Sequence, residues 1–151
     1  MVNMDEYAKA LFDLTEELGT TDAVRTQIIM LGEVFVANPA YAGLLDTPAL
    51  PKDERLRLID EAFVGIDTSL LNLMKIVCEA RGTYAIDKLF RAYLEAYDAS
   101  RGIERVSAIT AAAMTDEQCE AMRRALEAKT GKTVIIENTV DKSILGGVKL
   151  R

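Results

Sequence analysis

Apolar side chains recur at helical spacing through the first hundred residues, then give way to alternating and β-branched stretches in the last fifty. Tyr7, Leu11, Leu14 and Leu18 fall at i, i+4, i+7 and i+11, one apolar stripe of a helix that Gly19 ends in left-handed backbone. Val24, Ile28, Leu31 and Phe35 repeat the spacing in a second helix, capped from among Thr20, Thr21 and Asp22 and stopped at Asn38-Pro39. A short third helix carries Tyr41, Leu44 and Leu45 before Pro48 and Pro51 break the chain. Pro51 suits the first turn of a fourth helix, where a missing N–H costs little, and Asp53 and Glu54 complement the positive end of its dipole. Leu56, Ile59 and Phe63 form its buried edge.

Asp67 or Thr68 caps a fifth helix in which Leu70, Leu71, Leu73, Met74, Ile76, Val77 and Cys78 cover most of the circumference, and Gly82 closes it. Thr83 opens a sixth, with Ile86, Leu89, Phe90, Tyr93, Leu94 and Tyr97 inward and Gly102 at its end. Short connections punctuated by Gly or Pro fold these six into a bundle. Beyond Gly102, Ile103 to Thr110 reads as a strand, and Thr115 with Gln118 forms a capping box before a helix carrying Cys119, Met122 and Leu126. Gly131 ends that helix; Thr133 to Thr139 and Leu145 to Leu150 follow as strands around an Asp141-Lys142-Ser143 turn. The expected fold is mainly α, with a six-helix N-terminal bundle over residues 1–102 and a small α/β C-terminal unit over 103–151. That unit stops in mid-strand at Arg151 and reads as incomplete.

Charge and composition narrow the function. The net charge of −6 and pI near 4.8 offer no basic surface for the counterion release that drives nucleic-acid binding, so nucleic acid is not an expected partner. Half the residues are hydrophobic, yet no run approaches the roughly 18 apolar residues of a membrane span. The N-terminus, MVNMDEYAKALFDL, lacks a basic region before an apolar stretch, so neither a secretory signal nor a transit peptide is read there, and a bacterial cytoplasmic protein, soluble when isolated, is expected. Cys78 and Cys119 lie far apart in predicted helices without ligand spacing and read as reduced structural thiols.

Candidate chemistry is sparse. The chain has no histidine, which removes the commonest general base and the commonest nitrogen ligand for a metal. Glu16-Glu17 and Asp5-Glu6 sit on polar faces with no burial to separate their pKa values. ThrGlyLysThr at 130–133 resembles the end of a phosphate loop, but Leu126 stands where such a loop needs glycine and the segment leaves a helix for a strand. Gly146-Gly147 has no helix after it and reads as a bulge or a close backbone contact. No catalytic residue, cofactor or metal is expected. What remains is surplus apolar surface. The fifth helix is apolar nearly all round, and the first adds Ala8 and Phe12 as a second flank with Ala10 as a small approach site. Either the fifth helix is central, or a groove between it and the first takes a partner helix.

Four segments, YAKALF at 7–12, NLMKIVCEARG at 72–82, SAITAAAMTDEQ at 107–118 and VDKSILGGVKL at 140–150, resemble in order the delta subunit family of F-type ATP synthases. The mitochondrial oligomycin-sensitivity-conferring subunit belongs to the same family. The resemblance spans essentially the whole chain, and its last block is the most specific. It implies a non-catalytic stator connector in proton-driven ATP synthesis, peripheral on the cytoplasmic face of the bacterial membrane and attached to the membrane only through its complex. The helical domain would hold the N-terminal helix of an alpha subunit, and the C-terminal region the C-terminal helix of the stalk b subunit. Mapped onto the matching blocks, the alpha-binding positions are Tyr7, Ala10, Leu14, Leu73, Ile76, Val77 and Ala80. Relatives usually continue past the glycine pair with a further strand, a turn and a final helix, so a truncated form is expected. The competing readings are an acidic helical adaptor or nucleic-acid-binding bundle, for which Arg55 and Arg57 are too sparse a basic face, and an enzyme using carboxylates alone.

Overall fold

The computed structural model describes residues 3–151. The chain is mainly α with a C-terminal α/β part: α1 (Met4–Leu18), α2 (Thr21–Ala37), α3 (Pro39–Asp46), α4 (Lys52–Ala62), α5 (Thr68–Glu79), a 3-10 turn (Thr83–Ala85) leading into α6 (Ile86–Ser100), β1 (Ile103–Thr110), α7 (Asp116–Thr130), β2 (Thr133–Val140) and β3 (Val148–Leu150). Two compact units divide it, the first reaching Tyr97 and the second running Asp98–Arg151.

Local chemistry ends the helices. The Asn3 side chain accepts from the Glu6 amide at 3.2 Å at the start of α1, and Gly19 closes it at φ 71°. Asp67 accepts from Ser69 and Leu70 at the start of α5. Thr20 precedes α2 without making a side-chain cap.

The core of the first unit draws on every helix, with Leu11, Ile28, Leu45, Ile59, Leu70 and Leu89 among its buried residues. On α1 the buried stripe is not the one its bulky residues suggest. Met4, Ala8, Leu11 and Thr15 face inward, whereas Leu14 is 41% exposed and Leu18 57%. Two features turn the helix this way. The Thr15 hydroxyl meets the buried Tyr93 hydroxyl at 2.8 Å, and Phe12 sets its ring edge-to-face with Tyr93 at 5.6 Å. The Ala8 and Phe12 flank is therefore core.

In the second unit β1 lies between β2, with which it pairs in parallel from Ile103↔Thr133 to Thr110↔Val140, and β3, antiparallel to it. Parallel neighbours need a crossover, and α7 supplies it, opened by the reciprocal Thr115–Gln118 capping box and closed by Gly131 at φ 71°. Asn138 on β2 bonds the Ala108 carbonyl, the Thr110 hydroxyl and, as acceptor, the Met114 amide. β3 begins at Val148 and not at Leu145, because Gly146 and Gly147 both take positive φ, at 131° and 78°. A Cβ at either glycine would meet nothing within 4 Å, so backbone conformation and not close packing accounts for the pair.

Candidate partner-binding face

α1 and α5 pack against each other. The N-terminus of α1 meets the C-terminus of α5 around a cavity of about 440 Å³, lined by Met4 and Asp5 from one helix and Ala80, Arg81 and Lys88 from beyond the other. Tyr7, Ala10 and Leu14 lie at i, i+3 and i+7 on α1; Leu73, Ile76 and Ala80 repeat that spacing on and just past α5. Residues so spaced share one helix face. Tyr7 and Leu73 are half-buried against the core, Ala10 and Ala80 are exposed, and Ile76 is 47% exposed.

Val77 does not belong with them. It is fully buried in the core with Leu70, Met74 and Cys78, because one residue beyond Ile76 the helix has turned about 100° toward the centre. As a partner contact it is corrected to a core residue.

The C-terminal end of α5 is held by a buried cation. Arg55, 3% exposed, donates from one guanidinium nitrogen to the Leu45 carbonyl at 3.0 Å and the Cys78 carbonyl at 2.7 Å. Those carbonyls lie in the last turns of α3 and α5, where acceptors lack intrahelical partners and the dipole is negative. Among the described residues no carboxylate lies within ion-pair distance of Arg55. Burial pushes the Cys78 thiol up, against the pull of that same guanidinium. Arg55 is thus buried and adds nothing to a basic face. A buried arginine among polar neighbours leaves no periodicity signal in the sequence.

Past Ala80 the chain turns through a Schellman motif. The Arg81 amide donates to the Cys78 carbonyl at 3.0 Å and the Gly82 amide to the Val77 carbonyl at 2.9 Å, which puts Arg81 at φ 56°. Glycine normally takes that place. Arg81 therefore bears strain beside the Ala80 end of the α1/α5 face, and its side chain lines the 440 Å³ cavity opposite Asp5. The face as a whole offers aliphatic and small side chains with charges at one end and no convergent acid–base pair. Such a surface can bury an apolar helix, and among the described residues no group of three or more metal-ligating side chains gathers there.

The family described as ATP synthase delta (OSCP) subunit matches residues 4–151. An ATP synthase subunit delta of Geobacillus sp. (strain WCH70) is 32% identical over 146 residues, 96% of this chain and 82% of the relative. That of Azorhizobium caulinodans is 33% identical over 144 residues, 94% of this chain and 77% of the relative. Among solved structures, a chain of the Toxoplasma gondii mitochondrial ATP synthase hexamer shares the fold, with a TM-score of 0.72 at 18% identity, covering 98% of this chain and 84% of that one.

Proposed function

The chain belongs to the ATP synthase delta (OSCP) family, and from that premise we propose that its α1/α5 face grips an amphipathic helix at the N-terminus of an alpha subunit. Its place in F-type ATP synthase is that of a peripheral-stalk stator component without a catalytic site of its own. In this reading a six-helix bundle over residues 1–102 binds the catalytic head, and residues 103–151 face the C-terminal helix of the stalk b subunit. The assembly works on the cytoplasmic side of a bacterial membrane, to which this protein is attached only through the complex, and serves proton-driven synthesis. The connector resists torque, so affinity and stiffness matter and chemistry does not.

One observation supports the grip above others: Ile76 stands 47% exposed on α5 in line with Leu73 and Ala80, facing away from a core that the same helix fills with Leu70, Met74 and Val77. An exposed branched aliphatic in such a row is the kind of anchor that carries most of a helix-in-groove interface. Burying the exposed half of Ile76 is worth about 1 kcal/mol, and an aspartate there would place an unpaired charge in the interface, for a loss of about 2–4 kcal/mol. Calorimetric titration of the chain with a peptide from the alpha N-terminus measures this. Unchanged affinity in Ile76→Asp moves the alpha site elsewhere. Co-purification with a peptide from the C-terminal helix of b tests the second grip, and should survive Ile76→Asp. The rival reading as a nucleic-acid-binding bundle has neither a basic face nor a relative in its favour.

A further inference from the structure

Exposed apolar side chains in the first unit concentrate on α2, away from the α1/α5 face. Outside its buried stripe of Val24, Ile28 and Leu31, α2 displays Ile29, Met30, Val34 and Val36, the last 81% exposed. A helix that is apolar all round is ordinarily covered all round. Within its unit, α2 is covered on one side. Along its free side α2 and α6 enclose an open groove of about 540 Å³, floored by Ile28, Gly32, Phe90 and Leu94 and walled by Ile29 and Val36. A second groove of about 450 Å³ shares Gly32, Val36 and Phe90 and carries the trough on past Pro39 toward Tyr84, itself 74% exposed. Gly32 deepens the trough, since a Cβ there would enter open space.

The rim carries a sign. Glu33, Asp87 and Arg91 line the groove; Asp87 and Arg91 pair with each other at 3.3 Å, which leaves Glu33, with no cation within ion-pair distance among the described residues, as the unbalanced charge. Small-molecule sites converge a few polar groups on their ligand, and this trough has none on its floor. An anionic lipid surface would be repelled by Glu33.

We infer that the trough between α2 and α6 docks an amphipathic helix of a partner protein, one with aliphatic side chains along its buried edge and lysine or arginine on its flanks. The aliphatic edge fills the space over Gly32 between Ile29 and Val36, and a flanking cation meets Glu33. This surface is separate from the α1/α5 face and does not depend on what binds there.

The test uses the full chain and two fluorescently labelled helical peptides of about 18 residues. Both carry leucine at i, i+3, i+4 and i+7, one with lysine flanks and one with glutamate flanks, and anisotropy reads their affinities. The lysine-flanked peptide should bind more tightly by about tenfold or more, Val36→Asp should weaken it by a similar factor, and Glu33→Lys should reverse the preference between the two. Val36 and Glu33 are exposed, so neither substitution disturbs the core. Equal affinity for the two peptides, or binding unaffected by Val36→Asp, overturns the inference. Loss in Ile76→Asp with no loss in Val36→Asp also overturns it, by placing the peptide on α1/α5 and leaving the proposed function standing. Binding of the chain to phosphatidylglycerol vesicles that Val36→Asp abolishes would assign the trough to membrane and overturn it as well.

Discussion

Arg55→Met is expected to destabilise the first unit by about 2–4 kcal/mol. The wild-type guanidinium is 3% exposed and serves two carbonyls, Leu45 at 3.0 Å and Cys78 at 2.7 Å, each at a helix C-terminus. Hydrogen bonds from a charged donor are worth about 1.5–3 kcal/mol each. Against this stands the desolvation of the cation, which methionine avoids and which offsets part of the loss. Neither carbonyl is wholly orphaned, since the Cys78 thiol donates weakly to Leu45 at 3.4 Å and the Arg81 amide donates to the Cys78 carbonyl at 3.0 Å; what is lost is the charged bond to each, the shorter one at Cys78. Methionine keeps much of the length of the side chain and its apolar stem, so the cavity left is small. Urea unfolding followed by tyrosine fluorescence reads the effect in the right unit, because all five tyrosines lie at or before Tyr97 and the chain has no tryptophan. A fall in stability below about 1 kcal/mol would show that the clasp and its desolvation cancel, and that packing alone holds α3, α4 and α5 together.

Two further outcomes follow from local geometry. Arg81→Gly should raise the stability of the first unit by about 0.5–1 kcal/mol, since φ 56° strains an L-residue and not glycine, less the greater freedom glycine has when unfolded; a fall would mean the Arg81 side chain contributes more than its backbone costs. In the second unit Glu127 accepts from the Val134 amide at 3.0 Å and from Arg123, which hold its carboxyl below the usual range, while Arg123 and Arg124 bring Glu120 down to about 2. Because these folded values are depressed, their contribution is present above the ordinary glutamate pKa of about 4.3 and is lost as pH falls through the folded values. The amide shift of Val134 should therefore move on acidification below the ordinary glutamate pKa of about 4.3, as Glu127 takes up its proton, and Glu127→Gln should abolish that movement; a Val134 amide that stays put until the unit unfolds would refute the link.

Several helix ends and the positions of the first two strands were legible in the sequence because they rest on neighbours a few residues away. Asp67, Gly19, Gly131 and the Thr115–Gln118 box each act within one turn, and the structure places them where those residue types have their local use. The ordered family blocks were legible for a different reason: each is a run of adjacent residues, and their order along the chain carries the specificity. The absence of histidine needed no structure at all.

Which side of each helix meets the core was decided only by the tertiary structure. Periodicity groups Tyr7, Leu11, Leu14 and Leu18 on one stripe of α1, but of these only Leu11 is buried, and Met4, Ala8, Leu11 and Thr15 form the stripe that goes inside. Thr15 is drawn there by Tyr93, 78 positions away, which no local pattern foretells. The same holds for Arg55, buried because two distant helices end where its guanidinium can reach, and for Val77, set apart from Ile76 by a single step of helical rotation. The apolar free side of α2 is the sharpest case. Ile29, Met30, Val34 and Val36 are visible to anyone reading the chain, but only the packing of the other helices shows that this bundle leaves them open. A sequence specifies which residues share a face; the assembled core specifies which faces are left for others.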